Sequence, residues 1–181
     1  MTAKEKTSGS AAVSIAVAVS CDYWHELDFN AEELAHEVVP MAFAMADIPE
    51  KIGGRDVEFS IVLTDDETIR ALNRDYRGKD KPTNVLSFAA LDADEIFQLA
   101  PGQPWPTGDI VLAFETIEKE VHDTDKSFRD HYVHLLIHGT LHLLGYDHEE
   151  DAEAEIMENL EIRILKKYAI ENPYSSPETV A

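Results

Sequence analysis

Three histidines, His138, His142 and His148, stand at offsets that let them hold one metal ion. Residues four apart on a helix lie one turn apart on the same face, so His138 and His142 can reach a common ion. Gly145 falls where that helix must stop, because glycine takes the left-handed conformation that closes helices. The returning chain can then present His148 as a third donor. Three protein ligands leave a fourth tetrahedral position open, the arrangement of a catalytic rather than a structural zinc site. Histidine-only ligation suits zinc, here one Zn2+ per chain, although nickel or copper binds such a set in vitro. His138 and His142 are expected to bind as neutral rings, each aiming its other nitrogen at a supporting acceptor. His134, one turn before His138, is a supporting partner, a base or a spare ligand, and His131 reads as a solvated surface residue. Asp147 and Glu149 flank His148 and are placed to hydrogen-bond it, while turn chemistry accounts for Asp147 equally well.

The pattern H-x-x-x-H-x-x-G-x-x-H is the metal-binding half of the metzincin peptidase signature. Those peptidases carry a glutamate after the first histidine as general base, and here Gly139 occupies that position. A metallopeptidase is therefore a rival reading that lacks its proton-transfer group. Attack at phosphorus makes less demand on such a base, because charge builds on non-bridging oxygens that a Lewis acid and a cation stabilise. Arg77 is the candidate cation, since guanidinium forks two phosphate oxygens. It lies in a basic strip (Arg70, Arg74, Arg77, Lys79, Lys81) whose only acidic residues are Asp75 and Asp80. The structural alternative is a buried Arg77 paired with a carboxylate. Ser87 and Phe88, at the end of a predicted strand, either line a substrate cleft or sit at the edge of the core. Glycine costs a helix interior about 1 kcal/mol relative to alanine, so Gly139 needs a reason. Clearance for a phosphate backbone at the metal and close packing on a sheet both remain open.

The segment His138–His148, HGTLHLLGYDH, resembles the signature of the YbeY family of single-domain endoribonucleases. Leu72–Phe88, Gly108–Val111 and Asp151–Glu158 resemble further family blocks in the same order, so the likeness spans residues 13 to 170. Ala89 stands where proline usually follows the Ser-Phe pair, and residues 92 to 106 read as a private acidic, proline-rich loop. The resemblance implies a zinc-dependent single-strand endoribonuclease in ribosomal RNA maturation and ribosome quality control. It also implies ribosomal RNA precursor and the small ribosomal subunit as partners, with a ribosomal protein or assembly GTPase beside them, and a supporting role for His134. A non-catalytic assembly factor with structural zinc is the second rival, which a fourth protein ligand would favour.

A chain of 181 residues with 44% apolar and 28% charged residues fits one soluble domain, here 13–170, between tails at 1–12 and 171–181. Cys21 is the single cysteine and suits a reducing compartment. The formal net charge of −21 opposes nucleic-acid binding unless the basic strip forms a local cationic surface. Ala18-Val-Ser-Cys21 loosely resembles a lipoprotein cleavage site. Val13, Ile15, Val17 and Val19 nevertheless alternate with small residues at a strand's period of two. No run is long and apolar enough to span a membrane, and a cytoplasmic protein is expected.

The elements that must position these residues follow from periodicity. Strands are predicted at 13–20, 57–64, 84–90 and 109–114. Helices are predicted from Asn30 to Ala46 with Pro40 kinking or splitting it, and from a capping box at Thr64-Asp-Asp-Glu67 to Arg74. Others cover Glu115–Val121, the metal-bearing segment capped by Ser127, and 150–169. That order predicts an α+β domain: a small mixed β-sheet packed with helices, its metal site on a helix and the turn that follows.

Overall fold

Alternation of apolar residues builds the sheet. In the computed structural model, which describes residues 11–90, 99–124 and 126–175, β1 (Val13–Val19) runs parallel to β2 (Val57–Thr64). β2 is also parallel to β4 (Trp105–Ala113), and β3 (Val85–Ala89) closes the sheet antiparallel to β4. The order β1-β2-β4-β3 makes a mixed sheet with β3 on one edge. The period of two splits β4 between two apolar clusters. Ile110 and Leu112 join the main core, and Val111 and Ala113 join a smaller one with Ile69 and Leu86.

Five helices cover the sheet: α1 (Ala31–Met45), α2 (Asp66–Arg77), α3 (Phe114–His122), α4 (Phe128–Leu143) and α5 (Asp151–Leu165). α4 buries residues all round, including Tyr132, Val133, Leu136, Ile137 and Leu141, as expected of a helix enclosed by neighbours. It packs on α1, α3, α5 and both β3 and β4, which makes it the rigid post on which the histidines stand. Asn30 and Ser127 cap α1 and α4 by accepting from the amides of Glu33 and Asp130 at 3.1 and 3.0 Å.

Several boundaries differ from the sequence expectation. The cap of α2 is Asp65, accepting from Thr68 N at 2.8 Å, rather than Thr64. Thr64 is still in register with Ala113 as the last residue of β2, so the cap moves one residue on. β4 begins at Trp105, inside the segment read as a loop, and a bulge at Glu58/Phe59 lets it pair with β2. Gly108 is obligatory there, at φ 131°, since a Cβ would lie 2.0 Å from the Phe88 carbonyl oxygen. α1 runs through Pro40 unbroken. The expected tails fall largely on residues 1–10 and 176–181, and residues 92–98 of the expected acidic loop likewise lie outside the described residues. Among the described residues no helix is long and apolar enough to cross a membrane.

Candidate metal centre and the cavity beside it

The turn after α4 delivers the third histidine. Gly145, at φ 93°, follows the cap residue Leu144. Gly145 N donates to His142 O at 3.0 Å and Tyr146 N to Leu141 O at 3.1 Å, the paired bonds of a Schellman ending. The chain then reverses, and one ring nitrogen from each of His138, His142 and His148 lies within 4.8 Å of the others. Asp147 serves the turn: its carboxylate accepts from the His148 backbone N–H at 2.7 Å.

Hydrogen bonds on the far side of the rings decide what the near side presents. His138 Nδ1 donates to Glu161 Oε1 at 2.8 Å and His142 Nδ1 donates to the Tyr146 carbonyl at 2.9 Å, because both partners are acceptors. Both Nε2 atoms therefore carry bare lone pairs, and they face each other 3.0 Å apart. Two lone pairs at that distance repel unless a cation lies between them. Tetrahedral nitrogen donors on a zinc ion stand about 3.3 Å apart, so a small opening of the pair would seat such an ion. Burial, reinforced by His138 and His148, pushes His142 down to about 4, which keeps the ring in its neutral, ligating form near neutral pH. The donor set fits a metal.

Glu161 is the residue that sequence reasoning missed. It is 0% exposed, on the inward face of α5 with Met157, Leu160, Ile164 and Leu165. A glutamate at a core position of an amphipathic helix is the available signal, since buried carboxylates must be paired. Burial alone would raise its pKa, but bonds from His134, His138 and Tyr174 outweigh this and hold it at about 2. His134 Nε2 lies 3.3 Å from Glu161 Oε2, and the Tyr174 hydroxyl closes on the same oxygen. His134 thus bonds to Glu161 and packs its ring edge-on against His138, with centroids 6.3 Å apart, without joining the three-histidine donor set. His131 is not a solvated residue: its side chain is largely buried, with Nε2 2.6 Å from Glu120 Oε2. Desolvation lowers its pKa.

Beside the histidines lies a cavity of about 760 Å3 lined by His138, His142, His148, Ser87, Arg77 and Lys79 among others. Arg70 pairs with Asp80 and Arg74 with Asp75, each at 2.8 Å, so two of the strip's five cations are neutralised. Arg77 is exposed and, among the described residues, forms no ion pair, which overturns the buried-pair alternative. α2 ends directly after it at Gly78, whose φ of 68° turns the chain toward Lys79. Ser87 faces the cavity, whereas the adjacent Phe88 alternates to the other side of β3 and packs into the smaller apolar cluster. The cleft role expected of Phe88 therefore does not extend to lining this cavity.

Gly139 is explained by packing. A Cβ there would lie 2.8 Å from Ile110 Cγ2 and 3.2 Å from Ser87 Oγ, so α4 sits too close to the sheet for any side chain. Gly139→Ala gains about 1 kcal/mol of helix propensity and loses about 1–3 kcal/mol to overpacking, so its melting temperature is expected to fall. Gly139→Glu also buries a carboxylate and is expected not to fold. Thermal melting with zinc analysis checks both, and a folded, zinc-loaded, inactive Gly139→Glu protein would restore the clearance account.

Residues 19–169 match the family described as Endoribonuclease YbeY. The chain is 49% identical over 162 residues to the Endoribonuclease YbeY of Paramagnetospirillum magneticum, covering 90% of this chain and 96% of that one. It is 49% identical over 155 residues to that of Rhodospirillum rubrum, covering 84% and 76%. For Agrobacterium fabrum the identity is 45% over 172 residues, covering 93% and 98%. On this identity and coverage the chain belongs to the YbeY family of RNA-cleaving endoribonucleases.

Proposed function

We propose that the protein is a zinc-dependent endoribonuclease that cuts single-stranded RNA in ribosomal RNA maturation and ribosome quality control. The observation that carries this reading is the bare imidazole pair sharing one cavity with the guanidinium of Arg77, which is unpaired among the described residues. His138, His142 and His148 would hold the zinc, and Glu161 and the Tyr146 carbonyl fix the rings of His138 and His142. Zinc supplies Lewis-acid polarisation of a phosphoryl oxygen and activation of water. Arg77 forks the scissile phosphate and Lys79 adds charge on the same side, where Ser87 offers a hydroxyl to the phosphate or sugar. In a chain of net charge −21 this local cationic wall gives RNA its place of approach, and the acidic remainder suits a basic ribosomal protein. Ribosomal RNA precursor in the small subunit, an assembly GTPase as a further partner, and a cytoplasmic location complete the proposal.

The rivals are less well supported. Gly139 supplies no carboxylate for peptide hydrolysis, and its surroundings leave no room for one. A structural clamp needs four protein ligands. Among the described residues the cluster contains only the three histidines.

The test is a cleavage assay with purified, zinc-loaded protein on end-labelled single-stranded RNA and on casein. Internal RNA cleavage is expected, abolished by chelation and by His142→Ala, with bound zinc falling from one per chain toward none. Casein should stay intact. Casein hydrolysis, or RNA cleavage indifferent to metal removal, sinks the reading.

A further inference from the structure

Tyr76 is 71% exposed in the last turn of α2, immediately before Arg77. Its ring leans on Phe88, with centroids 5.2 Å apart and planes inclined at 64°. Phe88 is itself anchored in the smaller apolar cluster beneath α2 with Ile69, Leu86 and Val111. The exposed ring is thus braced from below while much of its surface stays open to solvent. Alternation along β3 turns Phe88 to one face and its neighbours Ser87 and Ala89 to the cavity face. β3 is an edge strand, so only its thickness and free edge separate the ring pair from the metal cavity.

We propose that Tyr76, braced by Phe88, is a base-stacking subsite for single-stranded RNA, holding a nucleobase next to the phosphate gripped by Arg77 and Lys79. The inference rests on the RNA-cleaving reading and names how that substrate is held. Two cations that form no ion pair among the described residues, beside an exposed, supported aromatic ring, select a polyanion that carries flat apolar faces. Nucleic acid has both properties. A duplex hides its base faces in its own stack, so the subsite selects a single strand. Stacking is tolerant of base identity because every base has a π-face, so the contact contributes affinity and strand preference rather than sequence.

The experiment uses full-length, zinc-loaded protein and compares wild type with Tyr76→Ala, Tyr76→Phe and Tyr76→Trp. Cleavage kinetics and equilibrium binding are read on a single-stranded RNA oligonucleotide and on an abasic scan of it. Tyr76→Ala is expected to raise KM and Kd about five- to a hundredfold with kcat little changed. Tyr76→Phe and Tyr76→Trp should restore wild-type values. One abasic position should cost wild type the same factor and cost Tyr76→Ala nothing. The ring is exposed, so an unchanged melting temperature checks that the fold is intact. If wild type cuts RNA and Tyr76→Ala matches it in KM and Kd, the subsite is overturned and the ring is left to a protein contact. If wild type binds RNA through Tyr76 without cutting it, the subsite stands and the nuclease reading falls. If wild type neither binds nor cuts, both fall.

Discussion

Arg77→Ala is expected to lower kcat/KM on single-stranded RNA by on the order of a hundredfold, with melting temperature and zinc content at wild-type values. The separation follows from where the side chain sits. It is exposed, forms no ion pair among the described residues and lines the cavity with His138 and His142, so its removal leaves no buried charge behind. On the proposed role, what is lost is a forked donor for a phosphate whose negative charge grows during reaction. Arg77→Lys keeps the charge and loses the fork, and should recover only part of the rate. Steady-state kinetics beside melting curves and metal analysis decide the matter. An Arg77→Ala protein that unfolds, or that cleaves at the wild-type rate, ends the assignment.

Glu161→Gln is expected to weaken zinc binding by about ten- to a hundredfold, the usual cost of removing a partner that orients a metal-bound histidine. The carboxylate accepts from His138, His134 and Tyr174 at once. An amide of the same shape has one acceptor oxygen, and its NH2 group opposes whichever donors face it. The His138 ring then loses either its tautomer or its orientation, and Nε2 no longer presents its lone pair to the cluster. Competition against a chromophoric chelator measures the affinity directly, without recourse to activity. Wild-type zinc affinity in a folded Glu161→Gln protein would show that the buried carboxylate serves packing of α5 on α4 alone.

Sequence reasoning reached the parts of this site that are set by local geometry. A four-residue interval on a helix and a glycine at its end suffice to place His138, His142 and His148 together, because the outcome depends on backbone rules alone. The mixed sheet with helices was legible for a similar reason, since alternation marks strands wherever one face is buried. Glu161 was hidden among 36 acidic residues, and only the register of Met157, Leu160, Ile164 and Leu165 tells that it points inward. Tyr174 and His131 depend on tertiary contacts that no spacing reveals. Gly139 shows the limit most clearly. Its clearance from Ile110 and Ser87 is a property of how closely α4 approaches the sheet, and two explanations looked equal until that distance was known.

The metal donors all belong to one continuous stretch, the end of α4 and the loop behind it, buttressed from the next helix along. Closing a loop so short costs little chain entropy, so metal capture asks for very little of the rest of the molecule. The opposite wall of the cavity is built otherwise. Arg77 and Ser87 arrive there only when α2, β3 and β4 have paired across long separations in the chain. Local opening of an edge strand such as β3 is therefore expected to disturb the Arg77 wall before the histidine cluster, whose donors and Glu161 brace lie on α4, the loop after it and α5. Metal content is thus a poor gauge of how many molecules in a preparation are fit to act: a fully loaded sample can hold an idle fraction, and titration of active sites is the sounder measure.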